Sequence, residues 1–188
     1  MSSGAVRFVV VFYFLFGLLG LGMIGWRVDD GAAFDPLAAG DARWPLHLAA
    51  SVCLLAGVHG LSWIAVRRWR AVANGVREMV VWLGCLNRRE ALTVALASGL
   101  AEEIVFRGWL LNEVGLFWSS LLFGIVHVPP SRNWLYWPVF AFLMGVLLGA
   151  LCLWTGTLLY AILVHAGINF INILRLPRAV SGARASDG

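Results

Sequence analysis

Apolar stretches long enough to cross a bilayer recur along this chain, and few folds can accommodate them. A helix needs about 20 residues to cross roughly 30 Å of hydrocarbon. Residues 6–26, 44–66 and 134–154 meet that length, 91–111 meets it if its embedded charges are tolerated, 157–174 is just long enough, and 115–128 is short. In lipid every backbone N–H and C=O must be paired within its own segment, so helices are the reading for all of them. Composition agrees. The chain is 61% hydrophobic and 13% charged, whereas a soluble domain sits near one half and one quarter. The expected fold is an all-α polytopic membrane helix bundle of about six transmembrane helices. Residues 79–86, too short to span and flanked by arginines, read as an interfacial helix. A single transmembrane domain over residues 1–176 is expected, followed by a short polar tail, 177–188, of irregular structure. The 6–26 run is longer than a signal-peptide core and no small-residue cleavage site closes it, so it reads as a retained span.

Loop charge sets an orientation. Between the first two spans, Asp29, Asp30, Asp35 and Asp41 outnumber Arg27 and Arg43. Residues 67–90 carry Arg67, Arg68, Arg70, Arg77, Arg88 and Arg89 against Glu78 and Glu90, Arg132 lies in the next alternate loop, and Arg175, Arg178 and Arg184 follow the last span. The positive-inside rule then puts both termini and the arginine-rich loops in the cytoplasm. The arginines lie beside apolar segments, so anionic headgroups are nearer partners than nucleic acid, and no nucleic-acid function is expected. All 14 basic residues are arginine, a bias that points to a GC-rich, bacterial genome and so to a bacterial inner membrane. Cys53, Cys85 and Cys152 stand singly in apolar stretches, with no CxxC, and read as small buried hydrophobes. The tryptophans near span ends (Trp26, Trp44, Trp69, Trp134, Trp137) read as interfacial anchors. Gly145 and Gly149, with Ala141 upstream, form a small-residue stripe suited to close helix contact within the bundle.

Charge inside these segments is costly. Between residues 91 and 131 the ionised side chains are Glu102, Glu103, Arg107 and Glu113, and each central charge costs about 2.5–3.5 kcal/mol even on lenient insertion scales. Glu103 and Arg107 are four residues apart and can pair. Glu102, rotated by about 100° on the helix, is left free to exchange a proton. A pure helix-pinning role is the bland alternative. His127 closes a short apolar helix before Pro129 and Pro130, and His165 shares a helix face with Asn169. Either could be ordinary interhelical hydrogen bonding. His47 and His59 have no polar partner at helical spacing and are assigned to packing. The conjunction is what carries chemistry. Three helices supply a carboxylate, an imidazole, and an imidazole with an amide, which together offer a base for water and donors for an oxyanion.

In order along the chain these residues read Glu102-Glu103-Ile-Val-Phe-Arg107, Phe123-Gly-Ile-Val-His127 and His165-Ala-Gly-Ile-Asn169. The ordered EExxxR, FxxxH and HxxxN trio resembles the CAAX protease and bacteriocin-processing (CPBP) family of intramembrane endopeptidases. The resemblance implies that Glu102 and His127 activate water, His165 and Asn169 stabilise the oxyanion, and Glu103 and Arg107 support the site. It implies a membrane-associated protein or peptide substrate: prenylated tails, bacteriocin leaders, or C-terminal sorting tails as in the myxosortase branch. In a bacterium, protein maturation or tail sorting fits better than a prenyl substrate. A divalent metal such as zinc is left open, since Glu102, His127 and His165 would be its ligands, while the HExxH pair is absent. One spatial requirement follows. Glu102 lies about 20 Å of helix beyond Arg89, whereas His127 closes its segment near the basic side, so the short fourth segment must dip for the two to meet.

Three rivals were weighed against this reading. Gly60-Leu61-Ser62 supplies a GxS for a rhomboid-like serine protease, but Trp63 follows where glycine belongs. A transporter or proton relay would use the buried charges, but shows no repeated halves here. A catalytically inactive scaffold or immunity protein is the third. Oligomeric state has no signature in the sequence.

Overall fold

The computed structural model describes residues 3–26, 38, 41–83, 86–127 and 135–184, with side chains described except in 3, 79–83 and 176–184. Arg27, Asp29, Asp30, Asp35, Cys85, Pro129, Pro130, Arg132 and Trp134 lie outside the described residues; of the expected interfacial segment 79–86, residues 79–83 close a helix that begins at Arg70. The elements are α1 (Ser3–Trp26), α2 (Trp44–Arg68), α3 (Arg70–Leu83), α4 (Arg88–Glu103) continuing into a π-helical segment (Ile104–Leu110), α5 (Leu111–Val126), α6 (Tyr136–Thr155) and α7 (Leu159–Arg184). The chain is an all-α, multi-pass membrane helix bundle. Gly4–Trp26, Trp44–Arg68, Arg88–Val126 and Tyr136–Thr155 are long and apolar enough to cross a membrane, and the apolar helix Leu159–Arg175 is shorter. Phe8, Phe14, Leu61, Val139 and Leu143 point outward and are more than half exposed, a surface suited to lipid rather than water.

Local chemistry sets several boundaries. Asn87 caps α4, accepting from the backbone N–H groups of Arg89 and Glu90, while the Asn87 N–H donates back to Glu90. That reciprocal pair satisfies donors the first turn would leave orphaned. Gly156 closes α6 in the left-handed conformation at φ 68°, where a Cβ would be strained. At its far end α7 runs helically past Pro177 to Arg184. The expected irregular tail is instead helical over 177–184: Pro177 removes one backbone donor, and Leu174, Arg175 and Leu176 before it, with Arg178 and Ala179 after it, favour helix.

Contacts between helices fix their relative directions. Along α1, Gly17 meets Ala101, Gly20 meets Ile104 and Val105, and Ile24 meets Gly108, so α1 and α4 run parallel. In α7, Ala166 packs on Gly99 and Asn169 on Ser98, so α7 runs antiparallel to α4. Helix α2 is parallel to α7, with His47 beside Tyr160 and Leu55 against Gly167. The small-residue stripe of α6 does what its spacing suggests: a Cβ on Gly145 would sit 2.9 Å from the Cα of Ser120, and Gly149 abuts Leu116. Helix α5 is thereby clamped antiparallel on α6.

The stretch Arg88–Val126 does not run straight. Gly115 sits at φ 78°, ψ 175°, a region essentially reserved for glycine. Glu102 faces His127 and Arg107 lies over Phe123, and both pairs are centred on Val114–Gly115. The chain therefore folds back there. Residues 116–126 form a returning limb of about three turns, or 16 Å, which ends His127 at the depth of Glu102. This is the dip that the short fourth segment required.

Candidate active site

Glu103 and Arg107 form the buried foundation of the site. Arg107 Nη1 donates to Glu103 Oε1 at 2.9 Å, with side chains 2% and 0% exposed. The pair is the i,i+4 arrangement read from the sequence, although the chain passes from α to π winding between the two residues. Such wider turns recur at functional sites because they re-aim side chains. The Phe123 ring covers the guanidinium, 4.3 Å from Arg107 Cζ, which offsets part of the cost of a buried cation.

His165 bridges the two glutamates. Its Nδ1 is 2.7 Å from Glu103 Oε1 and its Nε2 is 3.7 Å from Glu102 Oε2. Because Glu103 is already paired with Arg107 and accepts, Nδ1 carries a proton, and Nε2 faces Glu102. His127 is held in the same sense. Its Nδ1 lies 2.6 Å from the Phe123 carbonyl oxygen, which can only accept, so Nδ1 donates there and Nε2 faces Glu102 Oε2 at 3.8 Å. The FxxxH spacing thus has a physical reason. Phe123 holds the His127 tautomer through its carbonyl and covers Arg107 with its ring.

Glu102 Oε2 and the Nε2 atoms of His127 and His165 therefore converge on one space. Glu102 Oε2 is buried without a hydrogen-bond partner among the described residues. Gaps of 3.7–3.8 Å exceed a direct hydrogen bond and suit an intervening water that donates to the carboxylate and a ring nitrogen. The donor types also suit zinc, but among the described residues no three His, Cys, Asp or Glu groups are disposed to hold a metal ion. Glu102, His127 and His165 are the residues that would hold such an ion, which would supply Lewis-acid activation of a bound water.

The structure brings Glu102, Glu103, Arg107, His127 and His165 together around this space. Asn169 lies one turn along α7 and donates from Nδ2 to Ser98 Oγ at 2.9 Å, not to either glutamate. Ser98, one turn before Glu102, escaped the sequence reading because a serine in an apolar helix carries no distinctive spacing. Glu113 stays outside the cluster, accepting from Trp109 Nε1 at 3.2 Å. His47 and His59 are buried in α2, apart from these contacts. The serine-protease rival loses its base, since both ring nitrogens of His165 face glutamates.

Residues 85–171 match the family model described as type II CAAX prenyl endopeptidase Rce1-like. Over 72 residues the chain is 35% identical to the uncharacterized protein YpbD of Bacillus subtilis (strain 168), a stretch covering 38% of each protein. The chain thus spans well under half the length of that relative. No solved structure matches. The matched segment runs from the residues preceding the α4 cap through all three motifs, and over that segment the chain is similar to the Rce1-like CAAX prenyl endopeptidases.

Proposed function

We propose that this protein is an intramembrane endopeptidase. It hydrolyses a peptide bond near the membrane surface in a membrane-associated protein or peptide, in protein maturation or C-terminal tail sorting of the myxosortase kind. The observation that carries this reading is the convergence of Glu102 Oε2 with the Nε2 atoms of His127 and His165 in a buried, polar space. A water held there donates one proton to Glu102 and the other to His127, which aims an oxygen lone pair at the scissile carbonyl. Attack transfers the proton to Glu102, and collapse of the tetrahedral intermediate returns it to the leaving amine. His165 and Asn169 face the developing oxyanion. Asn169 has a second amide hydrogen beyond the one given to Ser98, and the His165 ring is held beside it by Glu103 at Nδ1. Low dielectric strengthens each of these contacts. The basic ends of α2, α4 and α7 (Arg67, Arg68, Arg88, Arg89, Arg175) share one side of the bundle, which supports a cytoplasmic placement of both termini.

The test is cleavage of a panel of tail and leader peptides by purified protein beside Glu102→Gln, with and without a strong chelator. The expected result is a loss on the order of 10²–10⁴-fold in kcat/KM for the variant and no effect of chelator. Wild-type cleavage by Glu102→Gln would remove Glu102 as base, and chelator sensitivity would require a metal.

A further inference from the structure

Helix α7 packs on two sides. Its Ala166 and Asn169 meet α4 beside the active site, whereas its Gly167 receives Leu55 of α2. Along that second seam α2 and α7 part to leave an open cleft of about 510 Å³. No residue of the three motifs lines it, and α2 and Arg175 lie outside the segment that matches the Rce1-like model.

The cleft is graded along its length. Leu55 meets Gly167, so two turns further along these parallel helices Trp63 stands level with Arg175, and both line the cleft. Arg67, one turn beyond, lays its guanidinium over the Trp63 ring, 3.8 Å from the centroid. Two cations thus stand at the arginine-rich end, and no acidic side chain lines the cleft. One turn deeper is His59, 8% exposed, whose Nε2 is buried without a hydrogen-bond partner among the described residues. Below it the wall is apolar, formed by Val52, Leu55 and Ala56. From Trp63 to Val52 is about 16 Å of helix, close to half of the roughly 30 Å hydrocarbon core. The cleft is one leaflet deep.

We propose that this cleft binds an anionic phospholipid from the arginine-rich side of the membrane. Arg175 and Arg67 receive the phosphate, for which guanidinium groups are suited. His59, in its Nε2–H tautomer, donates to an ester carbonyl, and one acyl chain lies along Val52, Leu55 and Ala56. Cation, donor and apolar wall follow one another in the order in which a bilayer presents phosphate, ester and chain. A water-soluble anion would leave the apolar depth unfilled. A peptide segment would carry backbone N–H and C=O groups against a wall that offers them little beyond His59.

Binding is measured without peptide cleavage, so its failure is distinct from failure of the endopeptidase reading. Full-length protein in detergent is titrated with phosphatidylglycerol or with phosphatidylcholine of the same chains, and bound lipid is counted by native mass spectrometry. Phosphatidylglycerol should bind more tightly, and Arg175→Gln should weaken it on the order of fivefold, the attraction of one arginine for an anionic headgroup. Arg43→Gln, at the opposite end of α2, should bind like wild type. Gly60 also lines the cleft, and a Cβ there meets nothing within 4 Å. Gly60→Leu therefore occupies the cleft without a clash, improves helix propensity, and should lose the preference for phosphatidylglycerol. Equal affinity of wild type for the two lipids would mean ordinary annular contact and overturn the proposal. Wild-type binding by both Arg175→Gln and Gly60→Leu would overturn it as well. A phosphatidylglycerol with a diazirine in its acyl chain should cross-link to residues 52–56; cross-links confined to other helices would remove the cleft as the site.

Discussion

Two buried histidines sit in different parts of this bundle, and their surroundings differ more than their burial. His47, in the first turn of α2, is fully buried edge-on against Trp154 and Tyr160, at ring separations of 4.8 and 5.4 Å. Neither of its ring nitrogens has a hydrogen-bond partner among the described residues. Its nearest charge, Asp41, lies 3.7 Å away and is held by Arg43 at 2.6 Å. His165, 8% exposed, has each ring nitrogen turned to a different glutamate. Burial alone therefore does not mark a working imidazole. What separates the two is convergence: His165 shares its acceptors with groups from two other helical segments, while His47 packs as an aromatic ring.

The comparison can be broken most directly at His165. Replacing it with glutamine should lower kcat/KM on the order of 10²–10⁴-fold, measured on whichever peptide wild type cleaves. A loss smaller than tenfold would put His165 on the same footing as His47. The next largest effect should be on stability. Arg107→Leu leaves Glu103 buried with only the His165 imidazole against it, at a cost of about 3–5 kcal/mol. Denaturant unfolding in detergent would read this loss, and adding Glu103→Gln should recover much of it; no recovery would mean that Arg107 acts through something other than its partner. The smallest effect is expected at His47. Phenylalanine there keeps the contacts with Trp154 and Tyr160, so stability should change by less than about 1.5 kcal/mol and cleavage should stay near wild type. Loss of cleavage in His47→Phe would erase the distinction between the two regions.

Much of the fold was legible because lipid imposes one rule on every span: apolar length. Residues 6–26 and 44–66 were read to within a few residues of α1 and α2. The reversal was less visible. Gly115 looks like any other glycine in an apolar stretch, and its meaning depends on a φ angle that hydropathy does not encode. In the site, Glu103–Arg107 could be read because both partners lie on one helix at fixed spacing. The link from His165 to Glu103 joins residues far apart in the chain, and spacing says nothing about it.

The fold-back at Gly115 has a consequence for how the chain enters the membrane. A limb of about 16 Å cannot cross roughly 30 Å of hydrocarbon by itself, and it ends at His127, whose ring needs polar company at that depth. Offered to the insertion machinery alone, the limb would stop partway with its last carbonyls unpaired in lipid. It can settle only against α4, where Glu102 receives the histidine and Phe123 covers the guanidinium. Residues 88–127 must therefore partition as one unit, so that the catalytic groups are assembled by the same event that inserts them.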